Sequence, residues 1–292
     1  MLLDPKALAK LATVKLRARA VVEGVLSGLH KSPHQGQSVE FAEHKEYSPG
    51  DEIRHIDWKA YGKFDRYYVK RFEHETNLRA LVAIDASASM NYRSGELSKL
   101  DVACALGASL AYLLARQQDA VGLALFQDGE MRFIPPRASA AHLQVLLEAL
   151  EGLQGKGISR LSDMADRLAE KAPRRSAVFL ISDLFDEEAK ALRRLLQLRF
   201  RKNDVAVFHV LDRAELEFPF EDNTLFLSME DARAQQANPR EIRQSYLEEM
   251  KAFLEQTRRT CRELDCDYEA VRTDEPLDRV LLRFLGRREA AR

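Results

Sequence analysis

The chain has 292 residues, 46% of them apolar, and a formal net charge of −1 although 31% of its side chains are charged. That length and apolar share allow one large α/β domain with a smaller appendage and exclude wholesale disorder. The near-neutral balance excludes a long-range attraction to nucleic acid, and Cys104, Cys261 and Cys266 lack metal-ligand spacing, as expected of reduced thiols in a cytoplasmic protein.

The first residues, Met1-Leu2-Leu3-Asp4-Pro5-Lys6, meet charges too early to build a signal-peptide core. No run reaches the eighteen or so apolar residues that cross a bilayer, so no integral membrane segment is expected. Leu8, Leu11, Val14, Ala18, Val21, Val25 and Leu29 then step by three and four, which predicts an amphipathic helix over residues 5–29. It reads as a docking helix with a solvated Lys/Arg face; a membrane-surface helix is the weaker alternative. Residues 1–30 form this first division of the chain.

Residues 31–77 have a different texture. Ser38–Phe41 and Tyr67–Phe72 alternate as short strands do, and Ser48-Pro49-Gly50-Asp51 is a strong turn signal. A small β-rich subdomain is expected, holding the only tryptophan, Trp58. The charges of Glu46–Trp58 predict a turn locked by ion pairs, with Trp58 packed on the main domain. A surface for docking a partner is the alternative.

From residue 78 to 292, strands and helices alternate. The apolar run Ala80–Ile84 reads as a strand buried on both faces. A helix follows over about 98–117, with Ser98 and Asp101 spaced as a capping box and Ala103, Gly107 and Ala111 forming a small-residue line. Then come strands at Val121–Phe126 and Met131–Ile134, helices near 140–152 and 161–171, a strand at Ala177–Ile181, a helix over 186–201 and a strand at Val205–Leu211. A strand near Thr224–Leu227, a helix over 239–264 with Ile242, Tyr246, Met250, Phe253, Thr257 and Cys261 on one face, a strand at Tyr268–Val271 and a helix begun by Pro276 complete the chain. Such alternation predicts a doubly wound, mostly parallel sheet of Rossmann type.

Two of these strands end in acids, Asp85 and Asp183. In a doubly wound order the first and fourth strands are neighbours across the switch point, where open α/β sheets hold ligands. Asp85, Ser87 and Ser89 offer three hard oxygens one residue apart, and the loop at 155–160 offers Ser159 from the same rim. Oxygen donors suit Mg²⁺, or Mn²⁺, and do not suit zinc. The alternative for the serines is helix capping, and for Asp183 a cap on the helix near Asp186. Other chemistry is poorly supported. His30 and His34 are separated by Pro33, Gly155-Lys156-Gly157 lacks the hydroxyl of a phosphate loop, and no Gly-x-Ser-x-Gly elbow occurs.

With Asp85, Ser87, Ser89 and Asp183 so placed, the chain resembles a von Willebrand factor A-type domain with a metal-ion-dependent adhesion site. In that comparison the hydroxyl between the two acids is a Thr in a Gly-Gly-Thr setting; here the nearest match is Gly157-Ile158-Ser159, with Ser162 as the fallback donor. The segments Phe41-Ala42-Glu43, Tyr47–Trp58 and Val69-Lys70-Arg71-Phe72-Glu73 resemble the hallmark of a bacterial family, number fifty-eight of the domain-of-unknown-function series. The two resemblances together span roughly residues 15–230. They imply a non-enzymatic, Mg²⁺-dependent interaction module that receives an acidic side chain from a protein partner. They also imply that it works as an adaptor with a MoxR-type AAA+ ATPase in assembling or maturing other proteins. The alternative is a metal-dependent hydrolase or phosphotransferase on a related sheet. It is disfavoured because Ser87 stands where such enzymes place their proton-transferring acid.

Overall fold

The computed structural model describes residues 5–29, 44–46, 68–70, 78–186, 191–230 and 233–290. The chain forms two units, one of residues 1–31 with 78–292 and one of residues 32–77. The N-terminal helix therefore belongs to the same unit as the strands that begin at residue 79, with residues 32–77 inserted between them. In the smaller unit, β1 (His44–Glu46) pairs antiparallel with β2 (Tyr68–Lys70). The expected Ser38–Phe41 strand, the hallmark segments Phe41–Glu43 and Tyr47–Trp58, and residues His30 and His34 lie outside the described residues.

In the larger unit, strands β3 (Arg79–Asp85), β4 (Ala120–Gln127), β5 (Glu130–Arg137), β6 (Ala177–Ser182), β7 (Asp204–Leu211) and β10 (Asp267–Arg272) form one sheet in the order β10-β7-β6-β3-β4-β5. Every pairing is parallel except β4 with β5. This is the α/β, mostly parallel architecture that the alternation of elements predicts. The continuous apolar run of β3 is explained by its neighbours. Successive side chains point to opposite faces, and both faces are covered. Ala80, Val82 and Ile84 pack in one core with the helices Val14–Leu29, Lys99–Arg116, Ala140–Leu150 and Leu277–Ala290. Leu81 and Ala83 pack in a second core with the helices Leu161–Lys171, Leu196–Phe200 and Pro239–Glu263.

The helix Lys99–Arg116 starts as its sequence requires, with the Ser98–Asp101 capping box formed in both directions. Its glycine is needed for close approach: a Cβ on Gly107 would stand 2.7 Å from Ile84 Cδ1 and 3.2 Å from Val82 Cγ1. That helix therefore lies directly over β3.

The structure departs from the pattern at several elements, each for a local reason. The expected helix over 5–29 is broken into Pro5–Ala9 and Val14–Leu29, because Thr13 Oγ1 accepts from Leu16 N and Glu151 Oε2 accepts from Val14 N, starting the helix afresh. In place of a single helix over 186–201, the described residues form a 3₁₀ turn, Ala191–Leu195, that runs into Leu196–Phe200. Thr224–Leu227 is a strand, β8, but pairs antiparallel with β9 (Ala234–Ala237) apart from the main sheet. On the helix Pro239–Glu263 the apolar stripe is buried at Met250, Thr257 and Cys261, while Ile242 remains 37% exposed.

Candidate metal centre

β3 and β6 lie side by side in register Ile84↔Ile181, so both chains leave the sheet at one edge. Asp85 ends β3 and Asp183 follows β6 directly. This is the switch point, since the chain goes from β3 outward to β4 and returns on the other side at β6.

The Asp85 carboxylate is buried and held by neutral donors. Ser87 N donates to Oδ1 at 2.9 Å, and Ser182 Oγ donates to Oδ2 at 2.8 Å. The Ser182 hydroxyl also accepts from Leu184 N at 2.9 Å, so it ties the two strand ends together. Leu184 pays a local strain for this, with φ +56 at a branched residue. The hydroxyls of Ser87 and Ser89 approach to 3.0 Å across the 3₁₀ turn Ala88–Asn91.

The third loop is zipped to the first. Lys156 N donates to Ala86 O and Ala88 N donates to Gly157 O, both at 2.9 Å. Asn91 clasps Gly155, its Oδ1 accepting from Gly155 N and its Nδ2 donating to Gly155 O. Gly155 must lack a side chain, since a Cβ there would run into Ser87 O. Gly157 has φ +62, which only glycine adopts at little cost. Ser159 follows, and its Oγ is buried without a hydrogen-bond partner. Ser162, the fallback donor, is buried on the helix Leu161–Lys171. Ser89 and Ser159 line one cleft of about 490 Å³ together with Tyr92, Lys99, Phe185 and Glu215. The three loops expected to meet do meet.

Asp183 is held differently. Its Oδ2 accepts from Lys99 Nζ at 2.7 Å, and the same ammonium donates to Glu215 Oε1 at 2.7 Å. Lys99 is 1% exposed and was not singled out by sequence reasoning. A signal existed. A lysine in the first turn of a helix opposes the macrodipole, and here it is held there by acids. Glu215 also carried one, as the fourth residue of an Asp212-x-x-Glu215 capping box that the structure forms. Beneath them, His209 Nε2 meets Asp183 O at 2.8 Å and Nδ1 meets the Tyr268 hydroxyl at 2.9 Å. A carbonyl only accepts, so the proton is assigned to Nε2 and Tyr268 donates to Nδ1.

The electrostatics follow from these partners. Burial, and next the charge of Asp183, push Asp85 up to about 7. Burial works against the charge of Lys99, but Asp183 and Glu215 outweigh it and hold the ammonium above its ordinary value. Burial raises Glu215 and pushes His209 down to about 4, so the imidazole is neutral. With Asp85 ionised, three carboxylates and one ammonium leave a formal excess of two negative charges.

Among the described residues no group of three or more His, Cys, Asp or Glu converges as a metal site. A site here would draw its remaining donors from hydroxyls. The residues fit a divalent cation on two counts: an orphaned buried hydroxyl at Ser159, and a buried Asp85 carboxylate whose hydrogen-bond donors among the described residues are all neutral.

The family model described as Protein of unknown function DUF58 matches residues 43–256. The uncharacterized protein Rv1480 of Mycobacterium tuberculosis is 27% identical over 219 residues, covering 74% of this chain and 68% of that protein. Among solved structures, the conserved hypothetical protein BatB from Bacteroides thetaiotaomicron is similar at 15% identity and TM-score 0.44, covering 72% of this chain and 98% of BatB. The SpRpn10 VWA domain is similar at 11% identity and TM-score 0.41, covering 70% of this chain and 93% of that domain.

Proposed function

This chain belongs to the DUF58 family, and we propose that it is a non-enzymatic module binding a protein partner through a divalent cation, Mg²⁺ or Mn²⁺. What supports the reading is one observation: Ser159 Oγ, buried with no hydrogen-bond partner among the described residues, shares a cleft with Ser89, on a loop bonded to the one that follows the buried Asp85. Asp85, Ser87, Ser89 and Ser159 would hold the ion, with Asp183 contributing directly or through water. A divalent ion supplies one thing to such a site, a coordination position that a carboxylate from outside can fill. The chain's own part is to keep the hydroxyls converged, through the Ala86–Lys156 and Ala88–Gly157 bonds, and to keep the two acid-bearing ends together through Ser182.

No helix of the described residues is long and apolar enough to cross a membrane. We place the module in the cytoplasm, as an adaptor of a MoxR-type AAA+ ATPase presenting an acidic side chain. The experiment is a titration of that ATPase from the same genome against the wild-type chain and Asp85→Ala, with each also measured in chelator. Tight binding by the wild type with metal, lost in the other arms, supports the proposal. Equal affinity in all arms contradicts it.

A further inference from the structure

Lys99 is a fully buried charge at the edge of the sheet where the two acid-bearing loops begin. Its side chain is 1% exposed, its ammonium is shared by Asp183 and Glu215, and the ring of Phe185 lies 5.1 Å from it. Burying a lysine between two acids is a poor route to stability, because desolvation consumes much of the attraction. The helix dipole also disfavours a positive charge in the first turn of this helix.

The two strand-end carboxylates show what the ammonium does. Asp85 has only neutral donors, whereas Asp183 gives Oδ2 to Lys99 and receives only Phe185 N, at 3.3 Å, on Oδ1. One acid is left for an external cation, and its neighbour already has an internal one. Both end neighbouring strands at one edge of the sheet, and Ser182, next to Asp183, donates to Asp85 Oδ2 at 2.8 Å.

We infer that Lys99 and the divalent ion compete for the Asp183 carboxylate, so that Lys99 is a positioning residue setting how tightly the ion is held. This rests on the metal reading above. Asp183 is pinned to Lys99 when the ion is away, which keeps the loop after β6 in shape. On binding, its charge is divided between two cations that repel each other. Glu215 moderates the contest by drawing the ammonium toward itself.

The test is calorimetric titration of Mg²⁺ into the full chain as wild type, Lys99→Met, Asp183→Asn and the double variant. Lys99→Met removes the positive charge that lies 2.7 Å from Asp183 Oδ2, and its Mg²⁺ affinity is expected to rise by about tenfold or more. In the Asp183→Asn background the same change is expected to shift affinity by less than about threefold, because the contested carboxylate is gone. Thermal unfolding supplies the second readout. Lys99→Met loses stability in chelator and regains it in Mg²⁺, a rescue that a merely structural ion pair does not give. If Lys99→Met does not stay folded, Glu215→Gln keeps the lysine and is expected to weaken Mg²⁺ binding about threefold. Unchanged or weaker binding by folded Lys99→Met, an equal effect in both backgrounds, or tighter binding by Glu215→Gln overturns the inference alone. Absence of Mg²⁺ binding by the wild type overturns the metal reading and the inference with it.

Discussion

The loops after β3 and β6 leave neighbouring strands at the same edge, each led by a buried aspartate, yet they solve the problem of a buried charge in opposite ways. The loop after β6 carries its own cation: Lys99 reaches across from the neighbouring helix to Asp183. The loop after β3 offers Asp85 only a backbone amide and the Ser182 hydroxyl, and burial pushes that carboxyl up to about 7. A buried acid with no cation either takes a proton or acquires a metal. The first loop is thus built incomplete and the second complete.

The largest effect is expected at Asp85 itself. In chelator at pH 8, Asp85→Asn removes a buried, uncompensated charge and is expected to stabilise the protein by on the order of 4 kcal/mol, read by denaturant unfolding. In Mg²⁺ the ranking reverses, since only the wild type gains from the ion. A destabilised Asp85→Asn in chelator would mean that Asp85 is already compensated as Asp183 is.

The pH dependence sharpens the same contrast. Asp85 is raised, so in chelator its stabilising contribution is full below about pH 3.8 and is lost as pH rises toward about 7. His209 is depressed, so its contribution is full above about pH 6.5 and is lost as pH falls through about 4, on the order of 3 kcal/mol. The two trends oppose each other between pH 4 and 6.5. The wild-type profile in chelator is expected to be flatter there, whereas Asp85→Asn, without the opposing trend, falls more steeply as pH drops. Parallel profiles would remove Asp85 from the account.

Ser182→Ala cuts the bridge between the loops, taking a donor from Asp85 and an acceptor from Leu184 N. A loss of about 1–2 kcal/mol in thermal unfolding is expected, with weaker Mg²⁺ binding in calorimetry. The smallest effect belongs to Ser159→Ala. Its hydroxyl has no partner, so its removal is expected to leave stability in chelator equal or higher by under about 1 kcal/mol, while Mg²⁺ affinity falls several-fold. A clear loss of stability in chelator would show that the hydroxyl already has a structural use.

Much of this was legible in the sequence because it was local. The run Ala80–Ile84, the Ser98–Asp101 cap and the small-residue line at Gly107 each encode their own burial or hydrogen bond, and each took the expected form. The shared edge of the strands that lead to Asp85 and Asp183 followed from strand order, a global property that alternation of elements was enough to indicate. What escaped was pairing between distant residues. Lys99 and Glu215 are 116 positions apart, and no periodicity links them. The break before Val14 depended on Glu151, the residue that caps a helix far along the chain.

The most direct measurement is anomalous diffraction from crystals of the wild-type chain grown with Mn²⁺. The account predicts a single strong peak bounded by the Asp85 carboxylate and the hydroxyls of Ser87, Ser89 and Ser159, with Asp183 alongside. No peak at the carboxyl edge of β3 and β6, or a peak held by other residues, contradicts it.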